Sequence, residues 1–103
     1  MSTKVILDLL KETKVADLAG VPEEDLSTDL AVMKLAALAA KGSEESLTVL
    51  WQLKPRGWTQ AKRKWKLSSF SNLTLGEALA RLTETEGWNY RIREGSILIQ
   101  QFH

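Results

Sequence analysis

The sequence predicts one small α+β domain, and three observations carry that expectation. Two stretches, residues 15–53 and 67–99, each run from alternating to helical apolar spacing and back, so a β-α-β pattern is written twice. The second copy adds a closing strand. A chain of 103 residues with 44% apolar content can also build one hydrophobic core but not two. The expected architecture is a two-layer βαβ-βαββ domain, two helices packed on short β-sheets, preceded by an N-terminal helix. Residues 1–14 then form an N-terminal extension and residues 15–103 the α+β domain.

Taken in order, residues 2–14 fit two templates. Val5, Leu7 and Leu9 alternate as in a strand, whereas Ile6, Leu9, Leu10 and Thr13 line a helix face. The helix is favoured, with Ser2 or Thr3 as its cap. Val15, Ala16, Asp17, Leu18 and Ala19 make a short alternating run that Gly20 ends. Pro22 then suits a first helical turn, and Glu23, Glu24 and Asp25 suit the positive end of a helix. Leu26, Leu30, Met33 and Ala37, with Leu38 beside them, continue that helix at spacings of three and four up to Gly42. After a polar turn, Leu47, Val49, Trp51 and Leu53 alternate with Thr48, Leu50 and Gln52 as a half-buried strand.

Pro55, Arg56 and Gly57 end that strand, and a basic connection follows before Trp65, Leu67 and Ser69 alternate with Lys64, Lys66 and Ser68. A short β approach over residues 67–70 leads to the best-marked helix of the chain. Thr74 and Glu77 stand at capping-box spacing, and Leu75, Ala78, Leu79 and Leu82 form one apolar stripe. Gly87 supplies the left-handed stop. Trp88, Tyr90 and Ile92 then alternate with Asn89, Arg91 and Arg93, Glu94-Gly95 makes a tight turn, and Ile97 and Ile99 complete a hairpin. The expected core contains Leu30, Met33, Val49, Trp51, Leu67, Leu75, Leu79, Leu82, Tyr90, Ile92 and Ile97.

Composition narrows the chemistry. No cysteine is present, so disulfides, thiolate metal sites and cysteine nucleophiles are excluded. No apolar run reaches membrane-spanning length, and the N-terminus lacks a secretory-signal pattern, as an excised or mature piece would. The net charge of +1 hides an uneven distribution: residues 1–46 balance to −4, residues 47–66 to +6 and residues 67–103 to −1. The positive charge is thus concentrated in Lys54, Arg56, Lys62, Arg63, Lys64 and Lys66.

The run Ser69-Phe70-Ser71-Asn72-Leu73-Thr74-Leu75-Gly76-Glu77-Ala78-Leu79-Ala80-Arg81-Leu82, with Gly87-Trp88-Asn89-Tyr90-Arg91-Ile92 and Ile97-Leu98-Ile99, carries a family resemblance. It resembles the second half of the secretin and TonB short N-terminal (STN) domain. Ala19-Gly20-Val21-Pro22 and the Leu-rich helix stand where that family's opening strand and first helix fall. The long helix entry over residues 23–29 and the basic connection over residues 55–64 depart from the pattern, and residues before Lys14 have no counterpart. The resemblance implies a non-catalytic periplasmic protein-interaction domain with no cofactor. It would belong to a longer or processed outer-membrane protein, a secretin-like assembly or a TonB-dependent signal-transducing receptor. Its partners would be other cell-envelope proteins or further copies in a ring.

No other constellation supports catalysis. Paired carboxylate chemistry needs an apolar pocket to raise one pKa, and nothing around the acids of residues 8–29 supplies one. His103 is the only histidine and the last residue, which leaves a triad or imidazole metal site nothing to stand on. Ser68, Ser69 and Ser71 lack a nucleophile-elbow context. Gly76 lies in no phosphate-loop pattern, and its small size suits close helix-sheet approach. The basic connection remains, with Lys54, Arg56, Trp58, Lys62, Arg63, Lys64 and Lys66 as candidate partner-binding residues. A solvated loop is its simplest account and a protein-docking surface the next. The alternative function is a small nucleic-acid or anionic-polymer binding domain, in which cations track phosphates and Trp58 stacks on bases. Trp65, in phase with Leu67, is expected to pack inward.

Overall fold

In the computed structural model, which describes residues 2–41, 47–53 and 63–101, the chain opens with helix α1 (Thr3–Glu12), capped by Ser2. The Ser2 hydroxyl accepts from the Val5 N–H at 3.2 Å. Ile6 and Leu10, one helical turn apart, are buried in the same cluster as the rest of the core.

Residues 15–19 depart from the expected strand. Val15–Asp17 form a 3₁₀ turn, in which the Asp17 carboxylate accepts from the Lys14 N–H at 3.2 Å. The backbone still seeks partners across the fold: the Val15 N–H donates to the Leu73 carbonyl at 2.9 Å, and Lys14 bridges Thr74. One bridge satisfies the local groups, and the 3₁₀ turn then buries Val15.

The second helix also starts later than its acids suggest. Leu26–Ser27 form strand β1, and helix α2 spans Thr28–Ala40 with Ser27 as N-cap. Pairing decides the boundary, because β1 is held antiparallel to β3 (Lys64–Trp65), with Leu26 opposite Trp65 and Ser27 opposite Lys64. Residues hydrogen-bonded in a ladder cannot also enter a helix, so Pro22, Glu23, Glu24 and Asp25 lie before it. The buried face of α2 is Thr28, Ala31, Val32, Leu35 and Ala36. Leu30 and Met33, expected inside, are 51% and 49% exposed.

Strand β2 (Thr48–Gln52) follows, with Val49 and Trp51 half-buried. After β3, the expected β approach over residues 67–70 is a 3₁₀ turn, Leu67–Phe70. Leu67 and Phe70, three apart, are both buried, which a 3₁₀ turn achieves and strand alternation does not. The Ser69 hydroxyl secures the turn by donating to the Lys66 carbonyl at 2.6 Å.

The last unit matches its sequence closely. Helix α3 spans Leu75–Thr85, with the Thr74 hydroxyl accepting from the Glu77 N–H and the Glu77 carboxylate accepting from the Thr74 N–H. Leu75, Ala78, Leu79 and Leu82 are buried. Gly87, at φ +75°, provides the left-handed turn out of the helix, its N–H donating to the Glu84 carbonyl at 3.1 Å. Strands β4 (Trp88–Arg93) and β5 (Ser96–Gln101) form the hairpin, with positive φ at Glu94 and Gly95 as a two-residue turn requires.

The architecture is α+β, with three helices and two small sheets among the described residues. After α1 the order is βαβ-βαββ. β5 lies centrally in the three-stranded sheet, parallel to β2 and antiparallel to β4, while β1 and β3 make the two-stranded sheet. α3 packs on β4 and α1, and α2 packs on α3 while touching β1, β2 and β3. Trp88, Ile97 and Ile99 line the inner face of the larger sheet, and Trp51 meets Trp88 edge-on at 6.0 Å between ring centroids. Of the other expected core residues, Tyr90 and Ile92 are half-buried against this cluster. Gly76 does admit a close neighbour, but chiefly a helix: a Cβ there would lie 3.1 Å from the Leu10 carbonyl oxygen of α1 and 3.3 Å from the Tyr90 hydroxyl.

Candidate functional site

A helix that is apolar on one side only has one way to pack, whereas α2 is apolar nearly all round. Its interior face repeats at positions 28, 31, 32, 35 and 36, which are i, i+3, i+4, i+7 and i+8 of an α-helix. Leu30, Met33 and Ala37 lie on the far side of the same cylinder, and no other described element covers them. With Pro22, Glu24, Leu26 and Lys34 they line an open groove of about 320 Å³. Exposed apolar surface of this kind is what a docking face presents to a partner. The spacing of Leu26, Leu30, Met33 and Ala37 was visible in the sequence, but its apolarity pointed equally well to the core.

Three cations of the basic connection can be placed. Arg63, Lys64 and Lys66 are exposed. Lys54, Arg56, Trp58 and Lys62 lie outside the described residues. Trp65 is half-buried, as its phase required, and tilts against Phe70 at 5.6 Å between centroids. Its indole N–H donates to the Thr28 hydroxyl at 2.8 Å, and that hydroxyl donates to the Glu86 carboxylate at 3.2 Å. Trp65 is therefore committed to the fold, a structural tie joining β3, α2 and the end of α3. No signal in the sequence marked Thr28 as its acceptor.

The outer face of the larger sheet is a different surface. Leu50 and Leu98 stand opposite each other across β2 and β5, and the Gln100 amide donates to the Gln52 side-chain carbonyl at 3.2 Å. Arg91 and Arg93 are exposed on β4. A hollow of about 230 Å³ is lined there by Leu50, Gln52, Arg93, Glu94, Ser96 and Leu98. It is more polar than the α2 groove. Asn89 Oδ1 is buried with no hydrogen-bond partner among the described residues.

The perturbed ionisations belong to the fold rather than to either hollow. Hydrogen bonds from Thr74, the backbone N–H first, hold the Glu77 carboxyl below its ordinary 4.5, and burial pushes the Tyr90 phenol above its ordinary 10.0. Among the described residues no group of three His, Asp or Glu side chains is gathered at metal-binding distance. No described helix is long and apolar enough to cross a membrane. Comparison with known proteins returned no matching family model, no matching curated protein and no matching solved structure.

Proposed function

We propose that this chain is a non-catalytic protein-interaction module of the secretin and TonB short N-terminal type. It works in the periplasm as a domain of an outer-membrane secretin-like assembly or of a TonB-dependent signal-transducing receptor. The observation that carries the docking role is the second apolar face of α2, where Leu30 and Met33 are about half exposed on a groove while the opposite face fills the core. Support for the family comes from the βαβ-βαββ order and from the work done by the motif residues: capping at Thr74 and Glu77, core at Leu75, Ala78, Leu79 and Leu82, and chain reversal at Gly87. A motif spent on the fold leaves specificity to surfaces outside it.

The test is a photo-reactive residue at position 33 in the full-length gene product, expressed in its own cells. Covalent adducts with cell-envelope proteins are expected. Adducts confined to cytosolic proteins would refute the reading. Titration with a single-stranded oligonucleotide at low and moderate salt separates the alternative. Tight binding that weakens steeply with salt would transfer the function to the basic segment.

A further inference from the structure

We propose that the α2 groove receives a short amphipathic helix bearing apolar anchors along one face and cations at one end, a partner class that deepens and rests on the docking role proposed above. The floor is formed by Leu30, Met33 and Ala37, which span about two turns, or roughly 10 Å at 1.5 Å per residue. That length takes three anchors of a facing helix at i, i+3 or i+4, and i+7. A helix suits this surface better than a strand. The exposed side of α2 offers no free backbone ladder, so an extended partner would lose hydration of its N–H and C=O groups without replacement, whereas a helix brings its own hydrogen bonds. Met33 at the centre is unbranched and polarizable, and can adjust to the anchors it meets.

Charge sets the polarity of the partner. Glu23, Glu24 and Asp25 are consecutive and exposed, and Glu24, between the lining residues Pro22 and Leu26, lines the groove. Lys34 is the one cation among the described residues that line it. The ammonium of Lys41 lies 3.7 Å from the position of a Cβ on Gly20. One end of an apolar trough is thus negative, and complementary cations on the partner fix its direction and speed its encounter.

The probe is a display library of helical peptides about 16 residues long, some four turns, with Leu fixed at anchor spacing and the other positions random. Selected peptides should concentrate Lys and Arg at one end and fail to bind Met33→Asp, whose melting should match the parent because the site is exposed. Neutralising the rim as Glu23→Gln, Glu24→Gln and Asp25→Asn together should weaken them about tenfold at low salt, the sum of three modest surface terms. Three results overturn the proposal: selected peptides without a cation excess, equal binding to Met33→Asp, or no peptide retained by the parent above that variant. A concentration-dependent dimer abolished by Met33→Asp would assign the groove to a second copy instead. Envelope adducts from position 33 alongside a failed selection would sink the helix but leave the docking module standing.

Discussion

The tie between Trp65 and Thr28 can be tested by a double-mutant cycle. Thr28 is fully buried, and its hydroxyl accepts from the indole N–H of Trp65 while donating to Glu86. Thr28→Val keeps the side-chain shape, so no cavity opens, but it leaves the indole donor without its partner. An orphaned buried donor costs about 1–3 kcal/mol. Trp65 is only half-buried and some water can reach it, so the lower half of that range applies, about 1–2 kcal/mol. In a domain of this size that lowers Tm by roughly 5–15 °C. Trp65→Phe removes the donor itself and should cost a comparable amount, mostly from lost indole contact. Once the donor is gone, Thr28→Val no longer orphans an indole N–H, and the loss of the Glu86 contact is common to both backgrounds and cancels, so the double variant should be less destabilised than the two singles combined, by about 1 kcal/mol. Chemical denaturation of all four proteins measures this. If the single costs add within about 0.5 kcal/mol, the hydrogen bond does not join β3 to α2 and the reasoning fails.

Three further outcomes are expected. Leu79→Asp places an unpaired carboxylate on a buried stripe and should abolish the cooperative thermal transition, whereas Leu30→Asp, also at a leucine, should stay within about 0.5 kcal/mol of the parent. Gly76→Ala gains about 0.5–1 kcal/mol of helix propensity but presses a methyl against the Leu10 carbonyl, an overpacking cost of about 1–3 kcal/mol, so denaturation should show net loss; a more stable variant would refute the tight α1–α3 approach. Tyr90 is the only tyrosine, so alkaline titration of its phenolate absorbance reads one group, and its midpoint should lie above 10.0. Because the folded state retains that proton longer, stability from this group is full below the unfolded pKa and falls as pH rises through the folded one; a midpoint at or below 10.0 would show the phenol to be solvated.

How much was legible depends on whether local and tertiary preferences agreed. In the α3 hairpin unit they did. Thr74, Glu77 and Gly87 act through neighbours within one helical turn, and Glu94-Gly95 acts within two residues, so each signal carried its own structure. At residues 15–19 and 67–70 the alternation was too short to distinguish a strand from a turn, and the i→i+3 hydrogen bonds from Leu18 to Val15 and from Ser69 to Lys66 make both 3₁₀ turns, over Val15–Asp17 and Leu67–Phe70. The helix boundary near residue 27 was out of reach because it depends on β1 pairing with residues nearly forty positions away. The acids at 23–25 looked like helix-start residues and lie instead exposed ahead of β1, with Glu24 on the lining of the groove.

By itself the sequence determined an α+β domain and the inward stripe of α3, whose opposite face is polar enough to leave only one orientation; the order βαβ-βαββ is kept only because Leu26–Ser27, read as helix, form the first strand in place of residues 15–19. It also placed the apolar residues Leu30 and Met33 on a helix. Only the tertiary structure decided that they face out. α2 is apolar on both sides, so its periodicity is satisfied by either rotation, and the choice fell to packing. The small residues Ala31 and Ala36 let α2 approach its neighbours closely, with Val32 and Leu35 filling the core beside them. Leu30 and Met33 are left on the surface as its exposed apolar floor.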